Sequence, residues 1–218
     1  MAETHGLEDY LEAIYVLSVE SHDAIGARVA DYLGVAPPTV TQTLQRMRRD
    51  GLVAPAQGRA IALTEKGLET AEMIIRRHRL AERWAVDYLG LDWIAAHHEA
   101  SRLEHALSPE VERRLWENLG QPGTCPHGNP IPGFGPAARL DVRPLASVPD
   151  GETVLVDRIF EQLEGLEDAL VFLGQHELRP GRTLTVASQS QGHTAVVTAA
   201  GSVEVPAMLA RRILVCPA

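Results

Sequence analysis

Residues 37–53, PPTVTQTLQRMRRDGLV, are the stretch of sequence that decides the fold. Prolines suit the first turn of a helix, because the N–H groups there have no partners within the helix. The apolar spacing predicts a helix from about Pro38 to Asp50, with Leu44 and Met47 facing inward and Gly51 ending it. The polar side chains near the start of this helix are then left on its outer face.

The residues on either side complete a recognisable order of elements. Helical spacing predicts a helix over about residues 7–20, a break at 21–23 and a second helix over 24–33, which Gly34 ends. After the third helix, the apolar runs 52–54 and 61–64 flank a turn at 57–59 and predict a hairpin. Helix, turn, helix and hairpin within residues 1–65 are typical of a winged helix-turn-helix, whose third helix enters the major groove of DNA.

The distribution of charge favours DNA binding by this segment, although the whole chain has a net charge of −9. Between residues 24 and 60, five arginines stand against two aspartates. Gln42 can read an adenine edge and a threonine a thymine methyl, while arginines neutralise phosphates. The predicted DNA-binding residues are Arg28, Pro37, Pro38, Thr39, Thr41, Gln42, Arg46, Arg49 and Arg59. The alternative is a three-helix packing unit that has no contact with DNA.

The rest of the chain predicts a helical domain and a β domain. Helical patterns over about 65–88, 92–107 and 109–119 place a helical domain at 66–135, which suits dimerisation better than a monomeric bundle. A Gly- and Pro-rich stretch predicts a linker at 136–151. Residues 152–218 hold β-branched runs at 153–156, 184–187, 193–198 and 212–215, with a helical insert at 164–172, and fit a small β-barrel. The predicted fold is therefore mainly α with β.

Composition predicts a cytoplasmic protein. The apolar fraction is 45 % and the charged fraction 22 %, and no apolar run approaches the roughly 18 residues that span a bilayer. The acidic, amphipathic N-terminal residues do not have the pattern of a signal peptide. The two cysteines, Cys125 and Cys216, lie far apart and indicate no disulfide framework. No membrane partner is expected.

Side chains able to bind metal are concentrated on the predicted helices. His78 and Glu82 are four residues apart on one helix, and Asp9 and Glu12 are three apart on the first. The next helix places four such residues on one face: His97, Ser101, Glu104 and His105. Each group taken alone is typical of a solvated surface, but together they predict a site for a divalent first-row metal.

Several long motifs resemble the diphtheria toxin repressor / manganese transport repressor family of iron- or manganese-activated repressors. They are HRLAERW (78–84), HEASRLEHALSPEVERRL (98–115) and CPHGNPIPG (125–133), set behind PPTVTQTLQRMRRDGLV. The resemblance implies a winged-helix domain, a helical dimerisation domain with two metal sites, and a C-terminal SH3-like (FeoA-like) domain on a flexible tether. It also implies a homodimer that binds a palindromic double-stranded operator.

The resemblance also assigns ligands by position. One site takes Asp9, Glu104, His105 and a backbone carbonyl near Ser101, and Glu12 matches a ligand of the manganese-sensing branch. The other takes His78, Glu82 and His97, with Glu164 and Glu167 as candidates from the SH3-like domain. Arg79 and Asn129 match positions that hold an anion in the iron-sensing branch. His98 matches no ligand position, and Cys125 is interpreted as an ordinary buried thiol rather than a ligand.

The chain departs from both branches at Ser101, where the iron branch has Cys and the manganese branch a bridging Glu. Asp9 replaces the Met of the iron branch, so the implied ligands are oxygen and nitrogen atoms, which favour Mn(II) over Fe(II). The predicted protein is a metal-dependent repressor, not an enzyme, that binds two or more ions per subunit.

The predicted switch starts from the crowding of Asp9, Glu12, Glu82 and Glu104. Without metal, repulsion among these groups should loosen the DNA-binding domain, and a bridging ion should fix the first helix and the separation of the recognition helices. The rival hypotheses are a dinuclear metal hydrolase, which lacks an evident substrate pocket, and a regulator that senses an organic ligand.

Overall fold

The computed structural model describes residues 6–21, 24–56, 58–135 and 139–218. The chain divides into two compact units, Met1–Arg77 and His78–Ala218. In the part of the chain that is described, no helix is both long enough and apolar enough to cross a membrane. Of the predicted break at 21–23, Ser21 is the last residue of the first helix, whereas residues 22–23 and the turn residue Gln57 lie outside the described residues.

The first unit is built from the helices that the sequence predicts. They are α1 (Leu7–Ser21), α2 (Gly26–Leu33), α3 (Pro37–Arg49) and the first part of α4 (Glu65–Asp87). Gly34 takes a positive φ of 63°, and the next N–H, that of Val35, donates to the Ala30 carbonyl at 3.0 Å, which ends α2. The core contains Leu44 and Met47, which confirms the predicted inner face of α3.

The predicted hairpin after α3 is not a regular pair of strands. The structure has isolated antiparallel bridges, Val53 to Leu63 and Ile25 to Ala60. The backbone N–H groups of Ala54 and Thr64 donate to the carbonyls of Ala62 and Leu52, at 2.9 and 3.0 Å. Pro55 interrupts the first run, because proline has no N–H to donate to a ladder. The prediction of two strands is therefore wrong in detail, although the two runs do face each other.

The helices of the second unit begin with the C-terminal part of α4, from His78 onward. α5 (Trp93–Leu103) starts at Asp92, whose carboxylate accepts from the N–H groups of Ile94 and Ala95. The sequence predicts that this helix continues to about residue 107, whereas residues 104–106 form a 3-10 turn. α6 (Pro109–Asn118) follows and is capped by Ser108, as predicted.

Six antiparallel strands form one sheet in the second unit, in the order β1-β6-β2-β3-β4-β5. They are β1 (Arg143–Pro144), β2 (Thr153–Ile159), β3 (Thr183–Gln189), β4 (His193–Thr198), β5 (Gly201–Pro206) and β6 (Ile213–Pro217). α7 (Glu167–Gln175) and α8 (Ala207–Ala210) complete the domain. The sequence predicts β2, β3, β4 and β6 and misses the other two strands.

Two further expectations for this domain need correction. The predicted linker contains β1, and its residues Leu145 and Val148 are buried in the core of the domain. The predicted helical insert is two elements, a 3-10 turn at 161–163 and α7 from Glu167, because Gly165 separates them. Glu164 and Glu167 therefore do not share one turn of a helix.

Candidate metal centre

Imidazole, carboxylate and thiol groups from several elements of the second unit converge in its interior. α4 supplies His78 and Glu82, one helical turn apart, and α5 supplies His97. Glu164 follows the 3-10 turn after β2, and the connector after α6 supplies Cys125 and His127. All six are buried, apart from a His97 side chain that is 15 % exposed. We call these six residues the metal cluster.

Four residues that the sequence predicts as ligands or candidate ligands meet within the metal cluster. Oε1 of Glu82 lies 3.2 Å from Nε2 of His78 and 3.2 Å from Nδ1 of His97. The same His97 nitrogen lies 3.4 Å from Oε2 of Glu164. One donor atom from each of these four residues lies within 4.8 Å of the others. The helical spacing and the β domain thus bring the predicted groups together.

His127 is a member of the cluster that the sequence reasoning missed. Its Nδ1 lies 3.4 Å from both Glu82 Oε1 and Glu164 Oε2, and 3.9 Å from the thiol of Cys125. Its ring stacks on Trp93, with centroids 5.1 Å apart. The signal in the sequence is the pair of residues Cys125 and His127 with one residue between them, because both types bind metals.

The surroundings of Cys125 differ from those expected of an ordinary buried thiol. Its sulfur forms a compact group with Glu82 and His127, in which the donor atoms lie within 4.8 Å of one another. Burial, together with the charge of Glu82, raises the pKa of the thiol well above its usual value. In the absence of a metal ion the thiol is therefore protonated, and a bound ion would have to displace that proton.

The charges of the cluster stabilise one another against burial. Burial alone would lower the pKa of His97, but the carboxylates of Glu164 and Glu82 raise it to about 10. Burial would also lower the pKa of His78, but the carboxylates of Glu82 and Glu104 hold it well above 6.5. In turn, His127 and His78 more than offset the burial of Glu82 and hold its pKa well below the usual value.

Three atoms of the cluster have no hydrogen-bond partner. Oε2 of Glu82, Oε2 of Glu164 and Nε2 of His127 are all buried and unpartnered within the residues that the structure describes. Such groups are costly to bury, because each loses its hydrogen bonds with water. A set of imidazole nitrogens and carboxylate oxygens with unsatisfied capacity fits a divalent first-row cation, which would bind these lone pairs.

A second group of predicted ligands lies beside His78. Nδ1 of His78 lies 2.6 Å from Oε2 of Glu104, which is buried. The other carboxylate oxygen of Glu104, Oε1, lies 3.2 Å from Nε2 of His105. Ser101 is exposed, and its hydroxyl donates to the carbonyl of His97 at 3.1 Å. Asp9 and Glu12, which the same prediction includes, are half-buried residues of α1 in the first unit.

The other predicted site residues have these positions. Glu167 is exposed at the start of α7, and His98 is exposed on α5, consistent with its omission from the ligands. Arg79 is buried and donates to Glu161 and to the carbonyl of Pro130. The side-chain amide of the buried Asn129 donates to the Ile159 carbonyl at 2.9 Å and to Glu164 at 2.8 Å.

The predicted DNA-binding residues all lie on the surface of the first unit. The exposed residues of α3 are Pro37, Pro38, Thr39, Thr41, Gln42, Arg46 and Arg49. Arg28 on α2 and Arg59 after the predicted turn are also exposed. Because Val40, Leu44 and Met47 are buried, one face of α3 packs inward and the opposite face is available to a ligand.

Three family profiles match the chain and together span most of it. The iron-dependent repressor N-terminal DNA-binding domain matches residues 4–61, and the iron-dependent repressor metal-binding and dimerisation domain matches residues 64–133. The FeoA domain matches residues 143–217.

Relatives and solved structures are similar over much of the chain. The iron-dependent repressor IdeR of Mycobacterium tuberculosis is 41 % identical over 201 residues, which are 87 % of each chain. The diphtheria toxin repressor of Corynebacterium diphtheriae is 48 % identical over 127 residues, which are 58 % of this chain and 56 % of the relative. A manganese-dependent transcriptional repressor in complex with manganese has a TM-score of 0.85 at 30 % identity, covering 98 % of this chain and all of that one. The crystal structure of T. acidophilum IdeR has a TM-score of 0.83 at 27 % identity, covering 99 % of this chain and all of that one.

Proposed function

The chain belongs to the iron-dependent repressor family, and from this we propose how its metal cluster serves a metal-dependent DNA-binding repressor. The observation that carries the proposal is the buried cluster, in which three histidines and two glutamates meet and two glutamate oxygens and a histidine nitrogen have no hydrogen-bond partner among the described residues. A bound divalent ion would replace the protons that hold the histidines charged beside these carboxylates.

We propose two metal sites in each subunit. One uses His78, Glu82, His97 and Glu164, with Cys125 and His127 next to them. The other is assigned by the family resemblance alone and takes Asp9, Glu12, Glu104, His105 and a carbonyl near Ser101. Glu167 is left out of the set because it is exposed. The resemblance also predicts an anion at Arg79 and Asn129, and the contacts of Arg79 with Glu161 and Pro130 argue against it.

Mn(II) is the metal we favour, with Fe(II) as the alternative. The ligands are mostly oxygen and nitrogen atoms, which suit the harder Mn(II) ion. Cys125 adds one sulfur atom at the edge of the cluster and reduces this preference. Similar proteins also differ in their metal: the relative from Mycobacterium tuberculosis is named for iron, and one similar solved structure is named for manganese.

The partner that we propose is a palindromic double-stranded operator, bound by a homodimer in the cytoplasm. The exposed face of α3 carries Gln42 and Thr39 near its start, and these side chains can read base edges in the major groove. Arg46 and Arg49 lie further along the same helix and can neutralise phosphates. A C2 dimer presents two such helices to two half-sites, which makes a palindrome the matching sequence.

Metal dependence follows from the acidic groups of α1. The family resemblance assigns Asp9, Glu12 and Glu104 to one site, where their acidic charge would destabilise the metal-free form until a cation balances it. A switch of about 1–3 kcal/mol changes operator occupancy by about 5- to 150-fold. We also propose that the chain has no catalytic role, which distinguishes it from a dinuclear hydrolase.

The experiment selects an operator from a randomised duplex library with Mn(II)-loaded protein. Fluorescence anisotropy of the enriched duplex is then measured with Mn(II), with Fe(II) under anaerobic conditions and with excess chelator. We expect at least fivefold weaker binding in chelator, and loss of the metal response in Asp9→Ala. Equal binding in metal and in chelator would contradict the proposal.

A further inference from the structure

Arg79 has a counterion supplied by the chain itself. Its guanidinium is buried next to the buried carboxylate of Glu161, to which Nη2 donates, while Nη1 donates to the Pro130 carbonyl. A buried charge costs several kcal/mol unless a partner neutralises it. Although burial would lower the pKa of Arg79, the Glu161 carboxylate holds it well above the ordinary value, so the guanidinium stays charged.

The position of Glu161 is fixed by the contacts around it. Glu161 begins the 3-10 turn that follows β2, and the connector residues before Pro130 pair with the end of that strand. The N–H of Ile159 donates to the carbonyl of His127, and Asn129 donates back to the carbonyl of Ile159, both at 2.9 Å. These bonds hold the 3-10 turn and the connector together on the two sides of Arg79.

These contacts restrict how Arg79 can hold an external anion. A tetrahedral anion is usually held by two parallel N–H groups of a guanidinium. Here Nη1 and Nη2 each use one of their N–H groups within the chain, and Nε, which has no hydrogen-bond partner among the described residues, is buried. Asn129 also donates to Glu164 at 2.8 Å, so its amide is engaged as well.

The local charge balance points the same way. Glu161 and Glu164 are both buried and act on the charge of Arg79, so two carboxylates already stand against one guanidinium. A sulfate or phosphate ion added beside these carboxylates would be repelled, because like charges in a buried site are poorly screened.

We propose that Glu161 is the resident counterion of Arg79, so that this chain binds its metal ion without an inorganic anion and has Glu161 as a positioning residue at the metal cluster. The proposal deepens the proposed function and rests on it where metal binding is concerned. Removal of the Glu161 charge should create an anion site that the wild-type chain does not have.

The first test needs no metal. Thermal unfolding of the full chain is measured in the presence of chelator, in chloride and in sulfate at equal ionic strength. We expect sulfate to raise the midpoint of Glu161→Gln by about 3 °C more than that of wild type, because sulfate binds the uncompensated Arg79. The double variant Arg79→Gln/Glu161→Gln should return to the wild-type response.

A matched control removes the general effect of sulfate on stability. Glu152→Gln breaks another Arg–Glu pair of the same unit, that with Arg143, which is partly exposed. Its response to sulfate should equal that of wild type. A wild-type response larger than that of Arg79→Gln/Glu161→Gln, or no extra response in a folded Glu161→Gln, would overturn the proposal. If Glu161→Gln does not fold, the comparison of wild type with the double variant still shows whether Arg79 of the wild-type chain binds sulfate.

The second test measures Mn(II) affinity by calorimetry in chloride and in sulfate. The wild-type affinity should agree within about twofold between the two, whereas sulfate should raise that of Glu161→Gln by about tenfold, the effect of one charge-assisted contact. Sulfate-dependent affinity in wild type would overturn the role of Glu161. If wild type bound neither Mn(II) nor Fe(II), the proposed function would fail, and the unfolding comparison would still report on Glu161.

Discussion

At the scale of single residues, the spacing of side chains along helices determines how much of the metal cluster can be predicted. His78, Glu82 and His97 lie on α4 and α5, where a fixed period places groups on one face. His127 lies in an irregular connector that has no period, so its place beside Glu82 depends on tertiary packing. For the same reason the sequence cannot distinguish Glu164 from Glu167 as a ligand. In the structure Glu164 is buried, whereas Glu167 is exposed.

His127→Phe tests whether the residue that sequence reasoning missed contributes to metal binding. Phenylalanine keeps a ring that can stack on Trp93 and removes both nitrogen atoms. We expect the variant to fold and its Mn(II) affinity, measured by calorimetry, to fall by about tenfold or more, or about 1.4 kcal/mol. His98→Gln, at an exposed position of α5, should bind as wild type does. Unchanged affinity in a folded His127→Phe would exclude His127 from the site.

At the scale of elements, regular periodicity predicts the helices and fails for short or irregular segments. α1 to α6 follow apolar spacing, glycine stops and capping residues, and the sequence locates all of them. β1 has two residues, too few to show a period, and the alternation in β5 is confined to four residues between Gly201 and Pro206, both typical of turns. The 3-10 turn at 104–106 cannot be recognised in the sequence either, because it continues the residue pattern of α5 with a tighter hydrogen-bond geometry.

The junction between α3 and α4 supports the recognition helix. Thr64 Oγ1 donates to the Gly51 carbonyl at 2.6 Å, and Lys66 Nζ donates to the carbonyl of Asp50 at 3.1 Å. A Cβ atom on Gly67 would lie 1.9 Å from the carbonyl oxygen of Leu52. The start of α4 therefore packs directly on the backbone that follows α3, and only glycine fits at position 67.

Gly67→Ala is expected to destabilise the first unit in spite of the better helix propensity of alanine. The backbone clash should cost about 1–3 kcal/mol and lower the urea midpoint. It should also weaken operator binding, because the end of α3 must move. The matched control is Gly26→Ala at the start of α2, where an added Cβ meets nothing within 4 Å. The control variant should be as stable as wild type or more stable by up to about 1 kcal/mol. A urea midpoint of Gly67→Ala equal to or higher than that of Gly26→Ala would contradict the interpretation.

At the scale of the whole molecule, net charge is a poor guide to function. The chain carries −9, yet the described surface of α3 exposes arginines, and the buried carboxylates belong to a cluster that calls for a cation. Composition bounded the class of protein, and the long motifs identified the family because they fix ligand types and spacing together. The predicted linker boundary differs from the structure, because Leu145 and Val148 look like loop residues in sequence but fill the core of the β domain.

The most direct test of the central claim is anomalous diffraction at the Mn edge from crystals of the full chain grown anaerobically with Mn(II). We predict an anomalous peak within coordinating distance of Glu82, His97 and Glu164 in the metal cluster. The same crystals measured below the edge should lose most of that signal. Mn(II)-loaded crystals whose anomalous map shows no peak among these three side chains would contradict the account.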